Sequence, residues 1–254
     1  PFTGEVWYNT SSNTVKYFAI LSAAWATGAA ITARDSLAGA GIETAGLAFG
    51  GTNPANPSPL SNVTQEYNGS TWSTGGAMSV ARKGLAGAGT QTAAFACGGS
   101  EPPNENVTEE YDGSSWTNGG ALNRGQGRLA GAGTQTAGLA ISGASDPGKC
   151  EEYNGSSWSN GGDMNTGRDG NGGCGTQTAA ITFGGEPLGT PGAATEQCNG
   201  TAWTSVANMG TARYRLAGFG TKTSAIATGG ESASGVGGLT EEWSEGGPAT
   251  LTVG

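Results

Sequence analysis

Histidine is absent from this 254-residue sequence. Its absence removes the side chain that titrates near neutral pH, the commonest metal ligand, and every catalytic arrangement built on imidazole. Charge is scarce too: Asp, Glu, Lys and Arg make up 12% of the chain, 11 basic against 20 acidic residues, for a formal net charge of −9. Binding nucleic acid requires clustered Lys and Arg to neutralise phosphates, so nucleic acid is not an expected partner. The four cysteines, Cys97, Cys150, Cys174 and Cys198, form no CxxC pair. A zinc site without histidine would need such spacing. The four could form two disulfides whose pairing the sequence leaves open, but all fall on repeat positions where other residues stand elsewhere, so free, packed thiols are expected. No apolar run reaches the ~18–20 residues that span a bilayer; Ala19–Ile31 is short and broken by Ser22, Thr27 and Gly28. No cofactor, metal or membrane insertion is therefore expected. The chain starts at Pro1 rather than Met, as a processed protein or a piece of a longer one would.

Glycine is abundant: 49 of 254 residues, about a fifth against the usual ~7%. Glycine at that density loses too much backbone entropy to sit in helices, and no Gly-X-Y period supports a collagen triple helix. Disordered chains are poor in aromatics, whereas seven Trp, six Tyr and six Phe are spread along this one. A folded, all-β chain remains.

Internal repetition sets the architecture. Glu66-Tyr67-Asn68-Gly69-Ser70-Thr71-Trp72 returns as Glu110–Trp116, as Glu152–Trp158 and, diverged, as Gln197–Trp203. Trp243 then stands in the Tyr slot of a fifth copy, and Trp25 precedes the first. Between these segments runs Leu85-Ala-Gly-Ala-Gly-Thr-Gln-Thr, with counterparts beginning at Leu37, Leu129, Asn171 and Leu216. Each copy reads as four short antiparallel strands, the last two joined by Asn-Gly or Asp-Gly, a strong hairpin signal. Five such units predict an all-β, five-bladed β-propeller of four-stranded antiparallel blades at about 36–73, 84–117, 128–159, 170–204 and 215–244. Gly and Ala fit the crowded axis, and Tyr and Trp the widening gaps outside it. Residues 21–28, around Trp25, are expected to close the ring as the missing strand of the last blade. Residues 1–20 form a separate N-terminal β-hairpin or attachment segment ahead of the propeller, which occupies 21–254.

The double glycine, the Tyr and the Trp that follows it (Gly98-Gly99, Tyr111, Trp116) resemble kelch-type propeller repeats, as do Thr32-Ala33-Arg34 and Thr211-Ala212-Arg213 ahead of first strands. The resemblance implies the fold, and propellers host many activities. The copies reading Ala-Gly-Ala-Gly-Thr-Gln-Thr-Ala are similar to glycine-rich virion proteins of marine tailed bacteriophages. Gly4–Thr10 with Val15–Phe18 resembles a hairpin module of phage tail-fibre and appendage proteins. This likeness implies a non-enzymatic virion structural or appendage protein, in the virion and extracellular, displaying the propeller for attachment to a host surface. Its partners would be other virion proteins, host glycans or proteins, and further copies of the chain. Two alternatives are a kelch-like protein-interaction module and a polysaccharide-degrading hydrolase.

Arg34, Arg82, Arg168 and Arg213 recur at one position, and the third strands repeat pairs of acids or amides that include Glu66, Glu110, Glu152 and Glu242. Buried carboxylates need partners, so these are expected as structural ties between adjacent blades. Asn68, Asn154 and Asn199 precede glycine and are expected to build turns rather than carry sugar. The candidates for binding lie where the repeat breaks, in the loops between second and third strands. These are Asn53, Asn56, Ser58, Glu101, Asn104, Glu105, Asp146, Lys149, Glu186 and Glu231.

Overall fold

The computed structural model describes residues 6–9, 14–17, 28–53, 55, 59–100 and 103–246. Val6–Asn9 pairs antiparallel with Thr14–Tyr17, a hairpin where one was expected. Five antiparallel sheets then follow as the blades of a β-propeller. Blade 1 comprises Ala38–Ile42, Ala45–Phe49, Thr64–Tyr67 and Trp72–Thr74, paired in chain order. Blade 2 runs from Ala86 to Asn118, blade 3 from Ala130 to Asn160 and blade 4 from Gly172 to Val206, each with four strands. Blade 5 holds Ala217–Thr221, Ser224–Thr228 and Thr240–Ser244. The fourth strand expected for it falls on residues 21–28, of which 21–27 lie outside the described residues.

Glycine permits the inner strands to stack. A Cβ on Gly131 would lie 2.7 Å from the Gly87 carbonyl oxygen, and one on Gly218 would lie 2.7 Å from the Gly173 nitrogen. Only a residue without a side chain fits there. Away from the axis, aromatic side chains fill the gaps: Phe49 meets Trp116 edge-on at 4.9 Å, and Phe95 meets Trp158 at 5.8 Å. Four apolar clusters form in this way, one at each boundary between consecutive blades. All four cysteines are free and buried. Burial pushes the thiols of Cys97, Cys150 and Cys174 up to about 12, which keeps them unreactive.

Polar contacts recur with the same period. Gln91 Nε2 donates to the carbonyls of Gly46 and Tyr67 in the preceding blade, and Gln135 and Gln177 repeat the clamp one and two blades on. The indole N–H of Trp116 donates to Thr64 Oγ1 at 2.8 Å, and that of Trp158 to Thr108 Oγ1 at 2.9 Å. A backbone ladder also crosses from blade to blade. The Gly84 N–H donates to Ser36, Arg128 to Gly84, Gly170 to Arg128, and Arg215 to Gly170, at 2.6–3.0 Å.

The expected Arg–Glu ties need one correction. Arg82 pairs with Glu109, Arg168 with Glu196, and Arg213 with Glu241, while Arg34 donates to Gln65. Each partner is the first residue of the repeated pair, not Glu110 or its equivalents. Successive strand residues face opposite sides of a sheet. Glu109 therefore faces the linker that carries Arg82, and Glu110 faces the next blade. There Glu110 accepts the hydroxyl of Tyr153, as Glu66 accepts that of Tyr111. Beside Glu152 the next blade has Cys198 in the Tyr slot, and Glu242 in blade 5 is exposed. The arginines still join blades, through their backbone: the Arg82 carbonyl accepts from Gly51 of blade 1, and the Arg213 carbonyl from Gly185 of blade 4.

Candidate functional site

The short turns gather on one face, as expected. Gly69, Gly113, Gly155 and Gly200 of the Asn-Gly or Asp-Gly turns lie against Thr44, Thr92, Thr136 and Thr178 of the first hairpins. Asn68, Asn154 and Asn199 each accept two backbone N–H bonds from residues two and three further on. Asp112 does the same, and those bonds, first of all that from Ser115, hold its carboxyl down at about 2. Their side chains are therefore committed to turn geometry.

The opposite face carries the variable loops, and the linkers between blades join them there. Bridges of single residue pairs stitch the two together: Asp35 with Thr52, Lys83 with Ser100, Asp169 with Glu186, and Tyr214 with Glu231. Each ladder residue follows at the linker's end. Ser36, Gly84, Arg128, Gly170 and Arg215 have φ of 53°, 59°, 60°, 62° and 55°. Glycine takes this left-handed conformation freely, whereas arginine at two of the positions is strained.

Those two arginines organise a charged cluster across blades 3, 4 and 5. Arg215 Nη1 donates to Glu231 Oε1 at 2.9 Å, and the Tyr214 hydroxyl donates to Glu231 Oε2 at 2.7 Å. The Arg215 guanidinium also sits 5.0 Å from the centre of the Tyr214 ring. Arg128 Nη1 lies 3.5 Å from Asp169 and 3.9 Å from Glu186. The hydrogen bond from Tyr214, then that from Arg215, lowers the Glu231 pKa, and the Arg128 charge adds to this. The same bond raises the Tyr214 pKa. Arg128 and Arg215 remain 45% and 46% exposed, so both keep donors free for an incoming group.

A second group adjoins it from blades 2 and 3. Arg124 Nε pairs with Asp146 at 3.2 Å, and Asn104 Nδ2 donates to Ser145 Oγ at 2.8 Å. Gln126, which stands where the other blades have arginine, accepts the Ser145 N–H at 3.0 Å and fixes this loop from below.

The structure thus brings Glu186 and Glu231 together, and Asn104 with the Asp146 loop. Lys149 points elsewhere and pairs with Asp163. Asn53 caps its own loop by accepting the Ala55 N–H. Glu105 contributes backbone bonds to Gly99 and Gln126. Asn56, Ser58 and Glu101 lie outside the described residues. Sequence reasoning missed Arg124, Arg128, Asp169, Tyr214 and Arg215, because they stand in linkers that only the fold brings beside the loops. A signal was present: the residue before each first strand's Leu or Asn reads Ser, Gly, Arg, Gly and Arg, varying beside a near-constant position.

The arrangement offers hydrogen-bond donors, acceptors and one aromatic side chain on a rigid surface. Among the described residues no cluster of three His, Cys, Asp or Glu could hold a metal ion, and no helix is long and apolar enough to cross a membrane. No family model matches the chain, and no curated protein matches it.

Proposed function

We propose that this protein is a non-enzymatic appendage protein of a bacteriophage virion, and that its loop face attaches to glycans on the host surface. One observation supports this most: the charged and polar residues that break the repeat, Arg128, Glu186, Tyr214, Arg215 and Glu231, converge on one face of an otherwise repetitive scaffold. Partly exposed arginines and carboxylates match the hydroxyl and carboxylate groups of surface polysaccharides. The phage setting comes from the likeness of the repeats and of the opening hairpin to virion proteins.

An array of bacterial surface glycans, probed with the purified chain, tests the reading. Specific binding is expected, and Arg128→Ala with Arg215→Ala should abolish it while leaving the melting temperature within a few degrees. Binding that survives the double substitution moves the site off this face. Release of sugar from the bound glycan would instead favour the hydrolase.

A further inference from the structure

Two exposed arginines would by themselves make a clamp for anions, because a guanidinium holds carboxylate, sulfate and phosphate groups by paired hydrogen bonds. Arg128 and Arg215 are not left in that state. Each turns Nη1 towards acid: Arg128 towards Asp169 and Glu186, and Arg215 towards Glu231. Two guanidinium groups thus face three carboxylates, a net charge of −1 among the described residues of the cluster.

Blade 4 supplies the excess. Asp169 and Glu186 stand directly opposite one another in the bridge that joins linker to loop, and among the described residues no other such bridge sets like charge against like. Like charges so placed repel. The fold does not require them, since Asp35 faces Thr52, Lys83 faces Ser100 and Tyr214 faces Glu231 in the equivalent bridges. The cation they share is Arg128, at 3.5 Å from Asp169 and 3.9 Å from Glu186, both longer than a close ion pair. The excess reaches blade 5 as well: the hydrogen bond to Glu231 is the main cause of the raised Tyr214 pKa, and the Glu186 charge adds to it. Arg128 and Arg215 meanwhile occupy slots that Gly84 and Gly170 fill without strain. Repulsion and strain therefore coincide at one place, as they do where binding rather than stability decides the residues.

This charge pattern separates two kinds of sugar. An acidic one must bring its anion to an arginine already engaged by carboxylate, on a chain of net charge −9. A hydroxyl meets no such repulsion. It can donate to a carboxylate oxygen and accept from a guanidinium N–H at once, and among the described residues Nε and Nη2 of both arginines make no hydrogen bond. Neighbouring hydroxyls on one sugar ring match Glu186 with Arg128, or Glu231 with Arg215, in this way.

Resting on the glycan reading above, we infer that this face selects uncharged saccharides bearing vicinal hydroxyl groups, and that Asp169 and Glu186 are the specificity-determining residues that turn acidic ones away. The test is an array of neutral bacterial polysaccharides together with uronic-acid polysaccharides in two forms, native and with their carboxyl groups reduced to alcohols. The wild-type chain is expected to bind uncharged members at least about tenfold more tightly than acidic ones, with little change between low and high salt. Asp169→Asn with Glu186→Gln keeps the size of both side chains and an acceptor oxygen on each, but moves the cluster from −1 to +1. This double variant should gain about tenfold in affinity for the acidic forms, lose that gain in high salt, and melt no lower than wild type. Acidic forms bound by the wild type as tightly as their reduced counterparts, or a double variant with unchanged preference, would overturn the selectivity and leave glycan attachment standing. Failure to bind any saccharide on the array would overturn attachment to glycans and the selectivity with it.

Discussion

Glu109 offers the sharpest test of what holds a blade to its linker. Its carboxylate and the Arg82 guanidinium are both fully buried, 3.2 Å apart. The carboxylate also accepts the Ser79 N–H at 2.7 Å, and Arg82 donates to the carbonyls of Gly98 and Val107 at 2.6 Å. Burial pushes the guanidinium below its ordinary pKa and Glu109 pulls it back. Glu109→Ala leaves a buried cation facing only carbonyl dipoles and orphans the Ser79 N–H. Breaking such a pair from one side costs about 3–5 kcal/mol. For a domain of this size that is a fall of roughly 6–20 °C in melting temperature. Glu109→Gln should cost less, about 1–2 kcal/mol. Blade 1 already uses that version: Gln65 Oε1 accepts Thr32 N–H at 3.1 Å and Arg34 Nη2 at 3.0 Å. Urea unfolding followed by tryptophan fluorescence would measure both variants. An alanine variant within about 0.5 kcal/mol of wild type, the range of ordinary surface substitutions, would refute the tie. So would a glutamine variant as damaging as the alanine one. Because the pair is buried, added salt should leave the difference between the variants intact.

Two further outcomes follow from the stacking of blades. Gly131→Ala would place a Cβ 2.7 Å from the Gly87 oxygen and 3.0 Å from its nitrogen, both backbone atoms, whereas Gly237 has nothing within 4 Å. The first substitution should destabilise by about 1–3 kcal/mol and the second hardly at all; equal melting temperatures would remove the close approach from the account. Burial, followed by the bonds to Glu66 and Glu110, pushes Tyr111 and Tyr153 up to about 12. An unfolded tyrosine ionises near ~10, so the folded state's advantage is full below that pH and disappears as pH rises towards the folded value. Tyrosinate absorbance should show these two titrating last, together with unfolding. Ionisation of all six tyrosines near the ordinary value in a folded protein would contradict it.

Much of the scaffold was legible because each blade repeats the reasons for its own shape. Asn68, Asp112, Asn154 and Asn199 announce turns through local chemistry, which a sequence carries directly. The small inner residues and outer Tyr and Trp follow from crowding at an axis, and the repeat supplies the axis. Gln91 and its counterparts were hidden because a residue in a turn reads as turn chemistry, and its two acceptors lie some 24 and 45 positions away. The assignment of Glu109 rather than Glu110 to Arg82 depends on which side of a strand faces the linker. Periodicity gives the alternation without saying which side is which. The charged cluster was half legible: Glu186 and Glu231 stand in irregular loops, whereas Arg128 and Arg215 stand in slots where other blades have glycine or serine.

Because blades 2 and 3 repeat the glutamine clamp, the tyrosine–glutamate bond and the indole bond to the blade before them, and the charged cluster lies apart on the loop face, these units have the character of exchangeable parts. Recombination that duplicates, deletes or swaps one of them between related genes would bring its glutamine clamp, tyrosine and glycine into a junction already built to receive them. The charged face would change with each exchange while the framework beneath it stayed the same. A gene of this design can vary its charged face as fast as its repeats recombine, without first solving a folding problem.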